Sequence, residues 1–181
     1  MESKAASSNV ATGLGQLVQE AQVARERARH TKHDSEERQL LFVLRISGFL
    51  IGLPASSVQS VIATDPPCPL PMAPAYVVGL VPHSEGALAV VDLAHFMELG
   101  VTTVAASANR VVVVRSGELE AGLLCDQALG IHSAGADEIA HECVVRGGQL
   151  ATYTSFECQL ALGRVASLNL PGLLQAMQLR A

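Results

Sequence analysis

Asp92 and His95 lie three residues apart at the start of a short helical pattern, and Ser84 and Cys158 are nucleophile types that such a pair activates. Nothing around them completes the machinery. No nucleophile elbow surrounds Ser84, and nothing marks a setting that would lower the Cys158 pKa. Asp92 instead stands where a helix N-cap belongs, ahead of Leu93, Phe96 and Met97 at helical spacing, which leaves His95 as a helix-surface residue. His30 and His33 have the spacing of metal ligands on one helix face, but no carboxylate or third histidine accompanies them usefully, so they read as a solvated pair. His83, His132 and His141 are isolated. Cys68, Cys125, Cys143 and Cys158 form no C-x-x-C pair and fit small buried residues of a reducing compartment. No glycine-rich phosphate loop opens a helix. The expectation is therefore a protein without catalytic residue, metal or cofactor. The enzymatic alternative is a small hydrolase using Cys158 or Ser84 with a histidine.

Composition directs attention to surfaces. Hydrophobic residues make up 49% and charged ones 16%, so more apolar surface than usual needs covering, and partner interfaces are the expected cover. A net charge of -5 argues against broad binding to phosphate backbones. A small nucleic-acid-binding barrel ranks below a protein-binding one, since two tyrosines and no tryptophan leave no stacking platform. With no apolar leader and no apolar run near the ~18 residues of a membrane span, a cytoplasmic protein without membrane insertion is expected.

Residues 1–39 differ from the rest. They hold six of the 12 basic residues, among them Arg25, Arg27 and Arg29, balanced by six acidic ones. Leu14, Leu17, Val18 and Ala21 make one weak apolar stripe, so this part reads as a helical or disordered extension to a body at 40–181. In the body, short apolar runs alternate with glycine turns. Runs 40–46 and 49–53 flank Ser47-Gly48, residues 54–57 have room for one helical turn, and 58–63 is a further strand. Residues 110–131 repeat that order: strand, Ser116-Gly117 turn, strand, a short connection at 126–129, then Ile131. Two similar small, intertwined β-barrels follow from this, the first from about residue 40 to 106 without its completing strands and the second from about 109 onward. Gly147-Gly148 marks a hairpin between 143–146 and 149–156, and Pro171 opens a closing helix to 179 with Leu173, Leu174 and Met177 on one side.

The centre of the chain is residues 69–100. Pro69, Pro71 and Pro74 stiffen its entry, strands at 76–81 and 87–91 flank a polar break, and the Asp92 helix closes it with Gly100 as its stop. Pro71 to Pro74, Tyr76 to Gly79 and Val90-Val91-Asp92-Leu93 resemble the CheW-like domains of bacterial chemosensory systems. The resemblance extends over Leu53-Pro54, Val58-Gln59-Ser60-Val61, Gly122-Leu123-Leu124-Cys125-Asp126 and Ala166-Ser167-Leu168-Asn169.

It implies a mainly β fold of two five-stranded SH3-like barrels with short helices and a hydrophobic groove between the barrels. It also implies a non-enzymatic adaptor, recruited to receptor arrays, that couples the cytoplasmic tip of a methyl-accepting chemoreceptor to the regulatory domain of a CheA-type histidine kinase. Carried over by position, the partner-binding residues are Val58, Ser60, Val111 and Ile131 in the groove, with Ser84 and Glu85 at the turn. For Val58, Val111 and Ile131 ordinary core packing is the competing role. The turn departs from the family: where its Asn-Leu-Arg-Gly places Arg, this chain has Ser84, then Glu85, and the glycine comes one position late as Gly86. A divergent accessory protein that binds only one usual partner, or a different receptor, is the alternative this departure raises.

Overall fold

Valine-rich runs with no polar alternation predict strands covered on both faces, and two such strands form the centre of the molecule. The computed structural model describes residues 38–84, 86–100, 110–140 and 148–179. Almost all of the expected extension, together with Glu85 and the strand expected at 143–146, lies outside them. In β1 (Gln39–Ile46) and β6 (Arg110–Ser116), four consecutive side chains are buried in each strand. Alternate residues enter different cores. Leu41 and Val43 pack with Cys158, Leu160 and Val165, whereas Val111 and Val113 pack with Val81, Leu88, Val90 and Leu124. Phe42, Leu44 and Ile46 meet Val112 and Val114 in a larger third core. Each sheet thus has its own interior, and the third core joins the two.

β1 turns into β2 (Phe49–Pro54) at Ser47 and Gly48, whose φ values of 47° and 85° suit a two-residue hairpin. The first sheet has the order β8-β1-β2-β11-β10-β9. It adds β8 (Gln127–Ala134), the two-residue β9 (Ile139–Ala140), β10 (Thr154–Leu160) and β11 (Gly163–Leu168). The second has the order β3-β6-β7-β5-β4. It contains β3 (Val58–Ala63), β4 (Val77–His83), β5 (Gly86–Asp92) and β7 (Leu119–Cys125). The chain beyond β3 bridges to β4 through Cys68 and Leu80, which closes this sheet on itself. Only glycine fits at position 79 there, because a Cβ would overlap the Cys68 carbonyl oxygen.

The mainly β, two-barrel architecture agrees with the sequence reading, but the stretches assigned to each barrel, 40–106 and 109 onward, do not. After β2 the single turn Ala55–Ser57 carries the chain into the second sheet as β3. After β7, Asp126 alone returns it to the first sheet as β8, so the expected connection over 126–129 is already strand. Each barrel is therefore built from both halves of the chain. The strand expected at 149–156 is also corrected. Gly148 opens the helix α2 (Gly148–Tyr153), and β10 begins at Thr154. Burial of Leu150 in the shared core and a Thr154 hydroxyl donating to the Leu150 carbonyl at 2.7 Å favour the helical turn over the β-prone local sequence.

The halves are related by a pseudo-two-fold. The ladder is irregular at Val77/Gly79 in β4 and at Thr154/Phe156 in β10, the matching place. Asp92 N–H donates to the Tyr76 carbonyl and Asn169 N–H to the Tyr153 carbonyl, both at 2.8 Å. The same two residues then accept at helix starts. Asp92 Oδ1 caps α1 (Leu93–Phe96) through Ala94 and His95 N–H, as expected, and Asn169 Oδ1 accepts from Gly172 N–H of α3 (Leu170–Leu179). α1 stops earlier than Gly100 suggests. Glu98 takes a φ of 60°, with its N–H donating to His95 O and Leu99 N–H to Ala94 O, a Schellman ending reached without glycine.

Candidate partner-binding groove

The two strands that cross between sheets, β3 and β8, end up terminal in the hydrogen-bonded order of the sheets they join. The single-turn helix before β3 touches both β1 and β6, and β8 touches β6, so the crossing strands flank the seam where the sheets meet. Register decides which side chains face that seam. Val58 pairs with Val114 and Val61 with Val112, both shared-core residues. Ile131 pairs with Phe42, which also belongs to the shared core. Val58 is half-buried against this core, Val61 is 42% exposed and Ile131 is 63% exposed.

Val61 and Ile131 are equivalent under the pseudo-two-fold. β3 has a bulge between Val58 and Ser60, at Gln59, and the β1–β8 ladder has one where Leu129 is passed over between Ala128 and Gly130. The residue after each bulge-and-pair is Val61 in one strand and Ile131 in the other. Neither strand carries Lys, Arg, Asp or Glu. Edge strands in soluble proteins are commonly blunted by charge, so these uncharged, apolar edges have the chemistry of a surface that another chain covers.

The structure redistributes the residues selected from sequence. Val58 and Ile131 lie at the seam. Ser60 pairs with Val113 and therefore faces the second barrel's own core, because the Gln59 bulge shifts the alternation by one. Val111 is fully enclosed and offers a partner no surface; packing is its role. Ser84 is exposed in the β4–β5 turn, with a φ of 49°, at the same end of the sheet as Val58 but on the far strand. Glu85 lies outside the described residues. Val61 was missed, although its pseudo-repeat position opposite Ile131 is visible once the bulges are aligned.

The hydrolase residues do not converge. Cys158 is buried on β10, and burial, reinforced by Glu138, raises its thiol pKa, the wrong direction for a nucleophile. Asp92 is committed to its helix cap and His95 is exposed beside it. Among the described residues no group of His, Cys, Asp and Glu has the arrangement of a metal site, and no helix is long and apolar enough to cross a membrane.

A family model for the CheW-like domain matches residues 40–178. The chain belongs to the CheW-like domain family. Protein FrzA of Myxococcus xanthus is 29% identical over 93 residues, an alignment spanning 51% of this chain and 58% of FrzA. The structure of the scaffolding protein TtCheW from Thermoanaerobacter tengcongensis has the same fold, with a TM-score of 0.63 at 16% identity over 72% of this chain and 88% of that one.

Proposed function

We propose that this CheW-like chain couples the cytoplasmic tip of a methyl-accepting chemoreceptor to the regulatory domain of a CheA-type histidine kinase, within a cytoplasmic receptor array. The observation that supports this reading is the uncharged seam between β3 and β8, with Val61 and Ile131 exposed on pseudo-equivalent edges. A helical hairpin meets such a seam through apolar anchors on two antiparallel faces. The kinase domain, itself of this family, would pack on a barrel end.

Ser84 favours a second reading. It stands where the family carries Arg, and it supplies neither the fixed charge nor the five donors of a guanidinium. An accessory protein retaining only one of the two contacts fits that change. Pull-down of the purified chain against a receptor cytoplasmic fragment and a kinase regulatory domain, both from its own organism, separates the readings. Capture of both baits supports coupling, and capture of one supports the accessory role and identifies the lost surface. Capture of neither refutes both.

A further inference from the structure

The seam is two-fold in its anchors but not in the residues beside them. β1 alternates without a break, so Leu40 shares a face with Phe42 and Leu44, and it lies opposite Ser133 of β8 as Phe42 lies opposite Ile131. β6 repeats the arrangement. Arg110 shares a face with Val112 and Val114, and it lies opposite Ala63 of β3 as Val112 lies opposite Val61. The hairpins fix the correspondence, since Ile46 pairs with Phe49 at the end of β1 as Ser116 pairs with Leu119 at the end of β6. Ala63 and Ser133 are therefore one position of the repeat, both small and exposed, and Leu40 and Arg110 are another. At that second position the halves differ in kind. Leu40 is an aliphatic side chain, 58% exposed, whereas Arg110 is an exposed cation beside edge strands that carry no charge. Among the described residues Arg110 forms no ion pair; the arginines that do are Arg115, with Glu120, and Arg164, with Glu157. The Asp126 carboxylate, which with Arg110 acts on the Cys125 thiol, is engaged by Ser47 N–H at 2.7 Å.

We propose that this one difference sets which way round a partner sits in the seam. The partner is the antiparallel helical hairpin of the coupling reading, on which this inference rests. One of its helices places an Asp or Glu against Arg110, over Ala63, and the other places an aliphatic residue against Leu40, over Ser133. The anchors alone accept a hairpin in two orientations almost equally, because Val61 and Ile131 offer each helix an equivalent contact. Orientation is then decided by the difference between the two seatings. Reversal puts the carboxylate against Leu40, where it loses water without gaining a partner, and leaves Arg110 facing an aliphatic group. The favoured seating gives the same carboxylate a charge-assisted hydrogen bond and gives the aliphatic residue apolar surface to cover. Both effects act in one direction. Ala63 and Ser133 add no bulk between the helices and these two side chains.

Photo-crosslinking reads the orientation directly. Benzoylphenylalanine is placed at position 63 or 133 of the full chain, which leaves Leu40 and Arg110 intact. The protein is irradiated with the purified cytoplasmic-tip fragment of its own organism's chemoreceptor, and the captured peptide is identified by mass. Position 63 should capture the carboxylate-bearing helix and position 133 the other. Arg110→Leu should mix the two patterns, weaken binding by about tenfold and abolish its decline with added salt. Leu40→Arg should mix them as well, and Leu40→Gln takes its place if circular dichroism shows that the arginine variant is not folded. Capture of both helices from both positions in the native protein overturns the proposal and leaves the coupling reading standing. So does an Arg110→Leu protein with unchanged pattern and affinity. A fragment that does not bind at all overturns coupling, and the proposal with it.

Discussion

Replacing Ile131 by Arg separates binding from folding in a way that replacing Val111 cannot. Full burial of an isoleucine side chain contributes about 1.5–3 kcal/mol. Ile131 is 63% exposed, so Ile131→Arg forfeits roughly a third of that, about 0.5–1 kcal/mol, and the arginine stem recovers part of it against Phe42. Val111 has no exposure, and its Cγ1 occupies space that exists only because residue 122 is glycine. Val111→Arg buries an unpaired cation there and should cost on the order of 3–5 kcal/mol, a large part of the stability of a domain this size. At an interface the ranking inverts. If Ile131 is a groove anchor, its loss should cost about 2 kcal/mol of binding, close to thirtyfold in Kd for a receptor fragment. Urea unfolding and isothermal titration on the same samples measure both quantities. A folded Ile131→Arg protein that binds within about threefold of the native one would remove the groove from the functional account. An Ile131→Arg protein as unstable as Val111→Arg would show that the register is wrong.

Three further outcomes are expected. Gly79→Ala should cost the most among glycine substitutions, about 2–4 kcal/mol, because a φ of 151° is combined with overlap on the Cys68 carbonyl. Gly122→Ala, with Val111 Cγ1 at 2.5 Å, should cost about 1–3 kcal/mol, and Gly48→Ala, with open space around it, about 1 kcal/mol; denaturant midpoints rank them. In native alkylation at neutral pH, exposed Cys68 should react while buried Cys125 and Cys158 stay protected until denaturant is added, as mass mapping will show. Burial, helped by Asp126 and opposed by Arg110, pushes the Cys125 thiol up to about 11, so the unfolded chain ionises first. Stability should fall as pH rises from about 9 to 11, by on the order of 2 kcal/mol from Cys125, and Cys125→Ala should remove that part of the slope and leave the part that the raised Cys158 thiol contributes.

Local chemistry made much of the fold legible. Ser47-Gly48, the Asp92 cap and the glycine-punctuated valine runs each act within a few residues, and the structure keeps them. Which strands cross between the intertwined barrels was not legible, because hairpin signals specify a neighbour but not the sheet that the next strand joins. The crossings consist only of Ala55–Ser57 and Asp126. Asp126 does its work at long range, accepting from Ser47 N–H at 2.7 Å and donating its own N–H to Arg45 O, and sequence alone shows only an acidic residue after a strand. In the groove, one bulged residue decided the outcome. With Gln59 passed over, Ser60 turns to the barrel interior and Val61 to the seam, while unbroken alternation would place them the other way. Val111 to Val114 look alike in sequence because both faces of β6 are buried, so only the packing distinguishes the barrel core from the shared one.

The duplicated plan explains why recognition surfaces arise where they do. Two copies of one unit, exchanged between sheets, bring equivalent edges together at the seam, so any anchor there is presented twice: Val61 and Ile131 are the same position used two times. A partner with two similar faces in opposite directions can engage both, which is the physical case for an antiparallel helical pair in the proposed coupling. Away from the seam the copies are free to diverge. Leu174 and Met177 of the ten-residue α3 line a hollow in one half, whereas α1 has four residues in the other. The symmetry thus brings a pair of equivalent apolar positions to one seam. That seam can change without loss of the fold because the shared core of Leu44, Leu93, Phe96 and Leu123 holds both sheets in place.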